Sequence, residues 1–548
     1  MRRGFHVFVI IIGFMLILTM MGCSYFQYLE DPENEQSSPL EEKVEIKEPT
    51  PVREGSLRIL MPMNLSSTNP LLVESKDMVS IFSLIFEGLM QYDENLVPKP
   101  HLAEAWEASP DGKSWIFHLR KGIYWHKTDK EFTAKDVIFT LDFLTSEDTN
   151  SIYKKSLRDI SSYKALDDYT VEVKTKTPSC RILASMTFPV LPAHYYRDKL
   201  DKADVLPVGT GPYQVEKYEK MRQMTLTSNT KWWKEQPYIP TIILKAMPDN
   251  ETALAAYEAK ELDIVPTGIL TAGKYEEAGD TKVHQYLTQH YEFLAPQFDH
   301  PFLKDKRVRQ AIAYAIDKKE IISKVYLNHA VAVDVPIPPD SWLYDSKWRR
   351  YDHNIKEAQR LLEEAGWKDR DGDKILEKKI KGKTIKASFT LYTNDNPENP
   401  ERKEAATFIR DQLLDVGIDV KIKVLTWDEL LEAIESQDFD MILSGYFLDH
   451  WPDLSFAFHS GNIESGSNIN AFSNQAIDQI LQESSGQNDL EGFREQIQKL
   501  QEKLADELPY ISLYFRTGSL IAREKVHGIH GIREMDTYHG IEQWFISE

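Results

Sequence analysis

The sequence predicts an α/β fold with parallel strands, and the pattern behind this prediction lies in the second half of the chain. Three short runs with the apolar spacing of strands alternate with two runs that have the apolar spacing of helices, in the order 385–391, 401–414, 418–424, 427–434 and 439–443. Gly417 follows the first helix, as glycine often does at helix ends. Strands that are separated by helices are expected to be parallel and to be joined by helical crossovers.

The segment 439–453 leads from the last predicted strand into a loop that holds a carboxylate among aromatic residues. In parallel α/β sheets, ligands bind beyond the carboxyl ends of the strands, where loops converge. Asp449 is placed in this loop by connectivity alone. We therefore predict that Asp449 anchors a ligand, and the alternative is that it only caps a turn.

The N-terminus has the layout of a secretory signal. Two arginines precede an apolar run over residues 5–21, which stops at Gly22-Cys23. A cysteine after a small residue at this point resembles the lipobox of bacterial lipoproteins, although Met20 stands where that motif usually has leucine. The resemblance implies that residues 1–22 are removed and that Cys23 carries lipid. A plain signal peptide and an uncleaved anchor helix are the alternatives.

Export with lipid on Cys23 would hold the protein on the outer face of the cytoplasmic membrane, or on the periplasmic side in a two-membrane envelope. Residues 23–55 contain many glutamates and prolines and almost no apolar periodicity. Such a composition cannot bury enough surface to offset its chain entropy, so we predict a disordered acidic tether between the anchor and a folded body.

Charge and cysteine usage limit the possible partners. The 548 residues have a formal net charge of −21 and include two cysteines. The negative charge argues against nucleic acid and against an anionic membrane surface as partners. If Cys23 is lipidated, Cys180 is the remaining thiol and no intrachain disulfide forms, so stability must come from a buried core.

A series of motifs spreads over the folded body. In chain order they are HLAEAW (101–106), SPDGK (109–113), FHLRKG (117–122), TAKDV (133–137), PVGTGPY (207–213), PDNET (248–252), LDI (262–264) and RVRQAIAYAID (307–317). Together they resemble the signature of family 5 solute-binding proteins, the receptors of peptide, nickel and related ABC importers. One local departure is His126-Lys127-Thr128, where members often have His-Asp-Gly. Much of the signature is structural in character, since Pro110-Asp111-Gly112 has the composition of a tight hairpin turn.

The resemblance implies a periplasmic-binding-protein-like fold with two α/β lobes, joined by two hinge crossings and closing on a ligand by hinge motion. We expect lobe I over 56–288 with an extra subdomain at about 98–206, lobe II over 289–512, and a return to lobe I over 513–548. The expected function is that of a monomeric receptor that captures short peptides and delivers them to ABC-transporter permease subunits.

The resemblance also gives Asp449 a specific role. In the peptide receptors of this family, an aspartate in the corresponding loop pairs with the α-ammonium of the peptide. Because the loop here is about one residue shorter between the aspartate and the proline, Asp453 is the alternative candidate for the residue that binds the α-ammonium. In peptide-binding members the backbone at 444–447 would pair with an extended ligand by strand addition.

The predicted ligand-binding residues are therefore Asp449, Gly445, Tyr446, Phe447 and Trp451, with lipid on Cys23 and no catalytic residue. Each aromatic residue has a packing role as its alternative. The sequence does not identify a cation for a peptide carboxylate, because Arg307, Arg309, Lys421 and Lys423 offer no specific match.

Other ligands and activities compete with this interpretation. Chelated nickel and an oligosaccharide are alternative ligands within the family. Three short motifs suggest a serine acyl-transferase of the penicillin-binding class, namely Ser151-Ile152-Tyr153-Lys154, Ser460-Gly461-Asn462 and Arg516-Thr517-Gly518. The first two motifs are separated by many more residues than in such enzymes, which argues against this activity. We expect no enzyme activity and no cofactor.

Two groups of residues resemble metal ligands. Asp369, Asp371 and Asp373 match the start of a calcium loop, but Lys374 stands where an EF-hand needs glycine, so a solvated turn is the better interpretation. His118 and His126 are isolated from carboxylates at ligand spacing and are expected to be structural. The sequence thus predicts no metal site.

Overall fold

The computed structural model of the protein describes residues 49–547, apart from positions 64, 201, 203, 204 and 398. The predicted signal, Cys23 and most of the predicted tether lie outside the described residues. Residues 49–55 are exposed and have no regular secondary structure, and the first strand begins at Ser56. Helices within the described residues fall short of the length and apolar content that a membrane span needs.

The strands of the described residues are numbered in chain order. They are β1 (Ser56–Pro62), β2 (Met90–Tyr92), β3 (Pro98–Pro100), β4 (Ala103–Ala108), β5 (Ser114–Leu119), β6 (Ile160–Asp167), β7 (Thr170–Thr175), β8 (Tyr213–Glu219), β9 (Gln223–Ser228), β10 (Thr241–Met247), β11 (Ile264–Thr267), β12 (Thr281–Pro296), β13 (Ala330–Ala332), β14 (Glu377–Ile380), β15 (Lys383–Lys386), β16 (Ser388–Asn394), β17 (Asp419–Leu425), β18 (Met441–Phe447), β19 (Ile511–Arg523), β20 (Val526–His527) and β21 (Phe545–Ile546).

The helices pack on the faces of these strands. They are α1 (Lys76–Phe82), α2 (Ala134–Thr145), α3 (Arg181–Ser185), α4 (Ala193–Tyr196), α5 (Asn250–Glu258), α6 (Lys306–Ala315), α7 (Lys318–Lys324), α8 (Ile355–Glu364), α9 (Arg402–Leu414), α10 (Trp427–Glu435), α11 (Ser455–Phe458), α12 (Gln475–Ser485) and α13 (Leu490–Glu507). Short 3-10 turns occur at Lys154–Leu157, Ala272–Ala278, Ser346–Trp348, Ser460–Asn462 and Ile541–Gln543.

One mixed sheet of eleven strands organises the body. Its order is β17-β16-β18-β12-β19-β11-β1-β10-β9-β8, and β13 pairs with β19. β16 is parallel to β17 and to β18, with Leu391 opposite Ile422 on one side and Met441 on the other. The parallel pairing predicted from the strand-helix alternation is therefore confirmed. The last predicted strand begins two residues later and ends four residues later than expected, so Gly445 lies in the strand and not in the following loop.

The two longest strands pass through the predicted hinge crossings. β12 and β19 are antiparallel partners, and their register shifts between Leu287 and Tyr291. Such a shift interrupts the ladder and bends the strand, here at the predicted first crossing near residue 288. The residue boundaries of the lobes stay predictions.

The segment predicted as a subdomain contains a sheet of its own. β4, β5, β7 and β6 are antiparallel neighbours in that order. Alternate residues of β5 and β7 are buried, as the two-residue period of a strand covered on one face requires. The predicted tight turn joins β4 to β5, and Gly112 has a φ of +66° there, which glycine adopts without steric cost.

Residues of the signature motifs hold segments of this body together. His126 accepts a hydrogen bond from the Gly209 amide at Nδ1 (3.2 Å), and its Nε2 donates to the Gly211 carbonyl (2.9 Å). A Cβ at Gly209 would lie 1.9 Å from the Ile85 carbonyl oxygen, so this close approach requires glycine. Because burial lowers the pKa of His126 to about 4, the ring is neutral at pH 7.

Candidate functional site

A cavity of about 430 Å³ lies at the carboxyl end of β18. Its volume falls within the range of small-molecule sites. One wall is cationic and consists of Lys155, Arg158 and Arg181 from the segment predicted as the subdomain. Most of the opposite wall comes from residues 446–456, where β18 ends and α11 follows. The cavity thus occupies the position expected for a ligand site in an α/β sheet.

A second cavity, of about 320 Å³, lies near α7 and differs from the first in its charges. The Lys318 ammonium at its wall is buried, pairs with Asp334 and donates to the Val333 carbonyl. A charged pair that already satisfies itself in this way offers a ligand little. We therefore take the cavity beside β18 as the candidate site.

β18 presents one unpaired edge beside this cavity. On one side, residues 444–447 pair with β12, with Gly445 opposite Glu292. On the other side, β16 pairs with β18 only at Met441 and Ile442. Among the described residues, no strand continues that ladder along 444–447. This edge has the geometry that strand addition by an extended peptide needs.

Asp449 lines the cavity and is exposed. No residue of the described chain donates a hydrogen bond to its carboxylate or forms an ion pair with it. Burial raises the pKa of the Tyr92 phenol, and the negative charge of Asp449 raises it further, so the two side chains are close enough to interact. An accessible carboxylate without a partner is available to a cation that enters the cavity.

Asp453, the alternative candidate for binding the α-ammonium, already has partners within the protein. Its Oδ2 accepts hydrogen bonds from Arg158 Nη2 (2.9 Å) and Arg181 Nη1 (3.0 Å). Burial alone would raise the pKa of this carboxyl, but Arg181, the Ser455 hydrogen bonds and Arg158 hold it below its usual value. Asp453 therefore ties the two walls of the cavity together.

The predicted aromatic residues have different environments. The Tyr446 hydroxyl lies 3.1 Å from that of Tyr510, and the Tyr446 ring lines the cavity. Phe447 also lines it and keeps 42% of its surface exposed. Trp451 is buried and stacks on Phe493 at 4.2 Å between ring centroids, outside the cavity lining. This position gives Trp451 a packing role, and its contact with a ligand stays a prediction.

Gly445 leaves room for a buried ion pair beneath the site. The Glu292 carboxylate bonds to Arg402 through Nη2 (2.8 Å) and Nε (2.9 Å), and both residues are buried. Asn399 also donates to this carboxylate, at 2.9 Å. A Cβ at Gly445 would lie 2.7 Å from Glu292 Oε1, so a larger residue would displace the pair. Sequence reasoning assigned Gly445 to ligand binding and missed this packing function.

Comparison with known proteins agrees with this architecture. Residues 97–467 match the family described as bacterial extracellular solute-binding proteins, family 5, middle region. The chain belongs to this family. This family is described as extracellular, which supports export of this chain, while the predicted secretory signal stays a prediction.

Individual relatives of this family 5 protein include two peptide-binding proteins. The oligopeptide-binding protein AppA of Bacillus subtilis is 28% identical over 482 residues, which cover 85% of this chain and 87% of AppA. Its structure with a nonapeptide has a TM-score of 0.61 at 27% identity and covers 91% of this chain and 100% of that one. The dipeptide-binding protein of Escherichia coli is 28% identical over 461 residues, 78% of this chain and 83% of that protein.

A third relative shares the fold. NikZ from Campylobacter jejuni in complex with Ni(L-His) has a TM-score of 0.64 at 24% identity, covering 89% of this chain and 99% of that one. These similarities confirm the predicted periplasmic-binding-protein-like fold class.

The cationic wall of the cavity beside β18 was not predicted from the sequence. Lys155 follows Lys154, whose ammonium donates to the backbone carbonyls of Ser146 (2.7 Å), Glu147 (2.8 Å) and Thr149 (3.2 Å). Arg181 lies 26 residues after Lys155 in the chain and begins α3. Nothing in the local sequence pattern relates these residues to a loop almost 300 residues later, so only the tertiary contact reveals the wall.

The residues that suggested an enzyme have other partners. The ammonium of Lys154 is bound to three carbonyls, and Ser460 Oγ donates to Asp478 at 2.6 Å. A base and a nucleophile of an acyl-transferase would have to be within hydrogen-bond reach of each other. In the S-x-x-K pattern these two groups are Ser151 and Lys154, and among the described residues no hydrogen bond joins their side chains. Ser151 Oγ instead accepts a hydrogen bond from the Tyr153 amide at 3.3 Å.

The candidate metal ligands also have partners. Asp369, Asp371 and Asp373 form the one cluster of three such groups that the described chain contains, and all three are exposed. Lys386 pairs with Asp371 at 3.2 Å and with Asp373. His118 lies 3.1 Å from Glu107 in the subdomain sheet. These contacts favour a solvated turn and a structural histidine.

Proposed function

We propose that this protein is an exported receptor of an ABC importer that captures short peptides and releases them unchanged to a permease. The observation that carries this proposal is the unpaired Asp449 carboxylate in a cavity beside the open edge of β18. The similarity to oligopeptide- and dipeptide-binding proteins over most of the chain supports the same ligand class.

The cavity offers a peptide three kinds of contact. Asp449 receives the α-ammonium in a charge-assisted hydrogen bond, which becomes stronger when the ligand excludes water. The free edge at residues 444–447 pairs with the peptide backbone, and this pairing is independent of side-chain identity. Tyr446 and Phe447 provide apolar surface for ligand side chains.

The attachment to the membrane is part of the proposal. Lipid on Cys23 would anchor the receptor, and residues 23–55 would give the folded body reach between the membrane and the external medium. We propose a monomer that meets its permease partners in the ligand-bound state. Mass spectrometry of the mature N-terminus tests this directly, with a diacylated Cys23 expected and an intact Met1 contradicting it.

We further propose that the protein is not an enzyme. Support comes from the carbonyl contacts of Lys154 and the Asp478 contact of Ser460, which occupy the side chains that the acyl-transferase interpretation needs. Incubation with peptide ligands is expected to return them uncleaved. Peptide fragments that appear in proportion to protein concentration would contradict this.

The experiment that tests the peptide ligand is native mass spectrometry of the purified protein, followed by denaturation and identification of what is released. We expect a mixture of short peptides. A metal complex or a sugar in their place would overturn the peptide proposal. A protein that is empty as purified, and whose melting temperature no peptide library raises, would also overturn it.

A further inference from the structure

The charges that line the cavity beside β18 fall into two groups. Arg158 and Arg181 form ion pairs with Asp453 across the cavity. Asp449 and Lys155 remain, and neither has a hydrogen-bond or ion-pair partner within the described chain. One anion and one cation are thus both available to a ligand in a single cavity.

The backbone that carries Lys155 is firmly held, although its side chain is exposed. Lys155 belongs to the 3-10 turn Lys154–Leu157, in which Leu157 is buried. Lys154 ties this turn to the segment after α2, and the Ser156 carbonyl accepts a hydrogen bond from Ser185 Oγ at 2.8 Å. The turn is fixed, but within the described chain the Lys155 ammonium makes no contact that stabilises the fold. This arrangement suits a group that binds a ligand better than a group that stabilises the protein.

We propose that Lys155 binds a carboxylate of the ligand, while Asp449 binds its ammonium. This inference rests on the proposed peptide function and deepens it, since it makes the site selective for zwitterionic ligands. The carboxylate could be the C-terminus of a peptide or an acidic side chain, and both have the same chemistry. A lysine suits this task because its ammonium is a single charge on a flexible stem and can reach carboxylates at different distances.

The test compares synthetic peptide libraries of two to six residues in three forms, by calorimetric titration of the full mature protein. The first form has free C-termini and no acidic side chains, the second is its C-terminal amide, and the third is an amide that contains aspartate and glutamate. Lys155→Gln is compared with wild type and with Lys135→Gln. Lys135 is an exposed lysine of α2 that lies outside the cavity lining.

Wild type and Lys135→Gln are expected to prefer one or both carboxylate-bearing forms over the plain amide. Lys155→Gln should lose this preference, with those forms weakened by about five- to thirty-fold and the plain amide unchanged. A preference for the free C-terminus or for the acidic side chain identifies which carboxylate is bound.

If Lys155→Gln keeps the full preference, or if wild type binds all forms equally, the role of Lys155 is refuted while the peptide function stands. If wild type binds none of the libraries, both the role of Lys155 and the peptide function are refuted.

Discussion

Asp449 and Asp453 lie four residues apart in one loop and have opposite surroundings. Asp453 receives two arginines from the facing wall, and its pKa is lowered. Asp449 lines the same cavity without an ion-pair partner in the described residues. Asp453 thus links the two walls of the cavity, while the Asp449 carboxylate, which has no such partner in the described chain, is the proposed ligand anchor. Both are aspartates of the same loop, and the difference in their partners comes from the facing wall.

The largest expected effect is on ligand affinity. Asp449→Asn should weaken peptide binding by about 2 to 5 kcal/mol, because the ligand ammonium would lose its charged partner in a site that the ligand closes to water. Calorimetric titration with the peptides that co-purify measures the loss. Asp453→Asn is the comparison variant and should weaken binding less, because this carboxylate already pairs with Arg158 and Arg181 and its loss would act on the ligand only through the cavity walls. Equal losses in the two variants would remove the distinction between these aspartates.

The next prediction concerns Gly445 in β18, the strand that precedes the loop with Asp449 and Asp453. Gly445→Ala places a methyl group against Glu292 and should lower the free energy of unfolding by about 1 to 3 kcal/mol, because the buried pair with Arg402 cannot move without losing its hydrogen bonds. Chemical denaturation measures the change. Gly273→Ala is a control with no atom within 4 Å of the added Cβ. A Gly445→Ala protein of wild-type stability would show that the strand adapts.

A smaller effect is expected from the Asp453 contact. Asp453→Asn should lower the free energy of unfolding by about 1 to 2 kcal/mol, since Arg181 is nearly buried but Arg158 is half exposed. A double-mutant cycle with Arg181→Gln isolates the pair. Additive changes in the cycle would show that the two walls are not coupled through these residues.

The smallest effect is the pH dependence of the same contact. The pKa of Asp453 is lowered in the folded protein, so its ionised form stabilises the fold above the ordinary value of 3.8. That stabilisation is lost as the pH falls below 3.8 through the folded-state pKa. The stability difference between wild type and Asp453→Asn should be constant near neutral pH and shrink in this acidic range. A difference that already shrinks near pH 6 would point to another titrating group.

Part of the site could be predicted because it depends on neighbours in the chain. The strand-helix alternation over 385–443 predicts parallel strands, and the loop at their carboxyl ends contains Asp449. The boundary of β18 was predicted less well, because Gly445 has a low strand propensity and residues 445–447 are not buried. They join the sheet because β12 pairs with them on one side. Tertiary pairing outweighs local propensity there.

By itself, the sequence determined the fold class, the family, the predicted export signal and the position of the candidate loop, since each depends on short-range patterns or on motifs in a fixed order. Tertiary structure decided which aspartate is neutralised, why residue 445 is glycine, and which cations form the facing wall. Those outcomes depend on contacts between residues far apart in the chain. Charge pairing is a property of distance in space, and no spacing along the chain encodes the separation of Arg181 from Asp453.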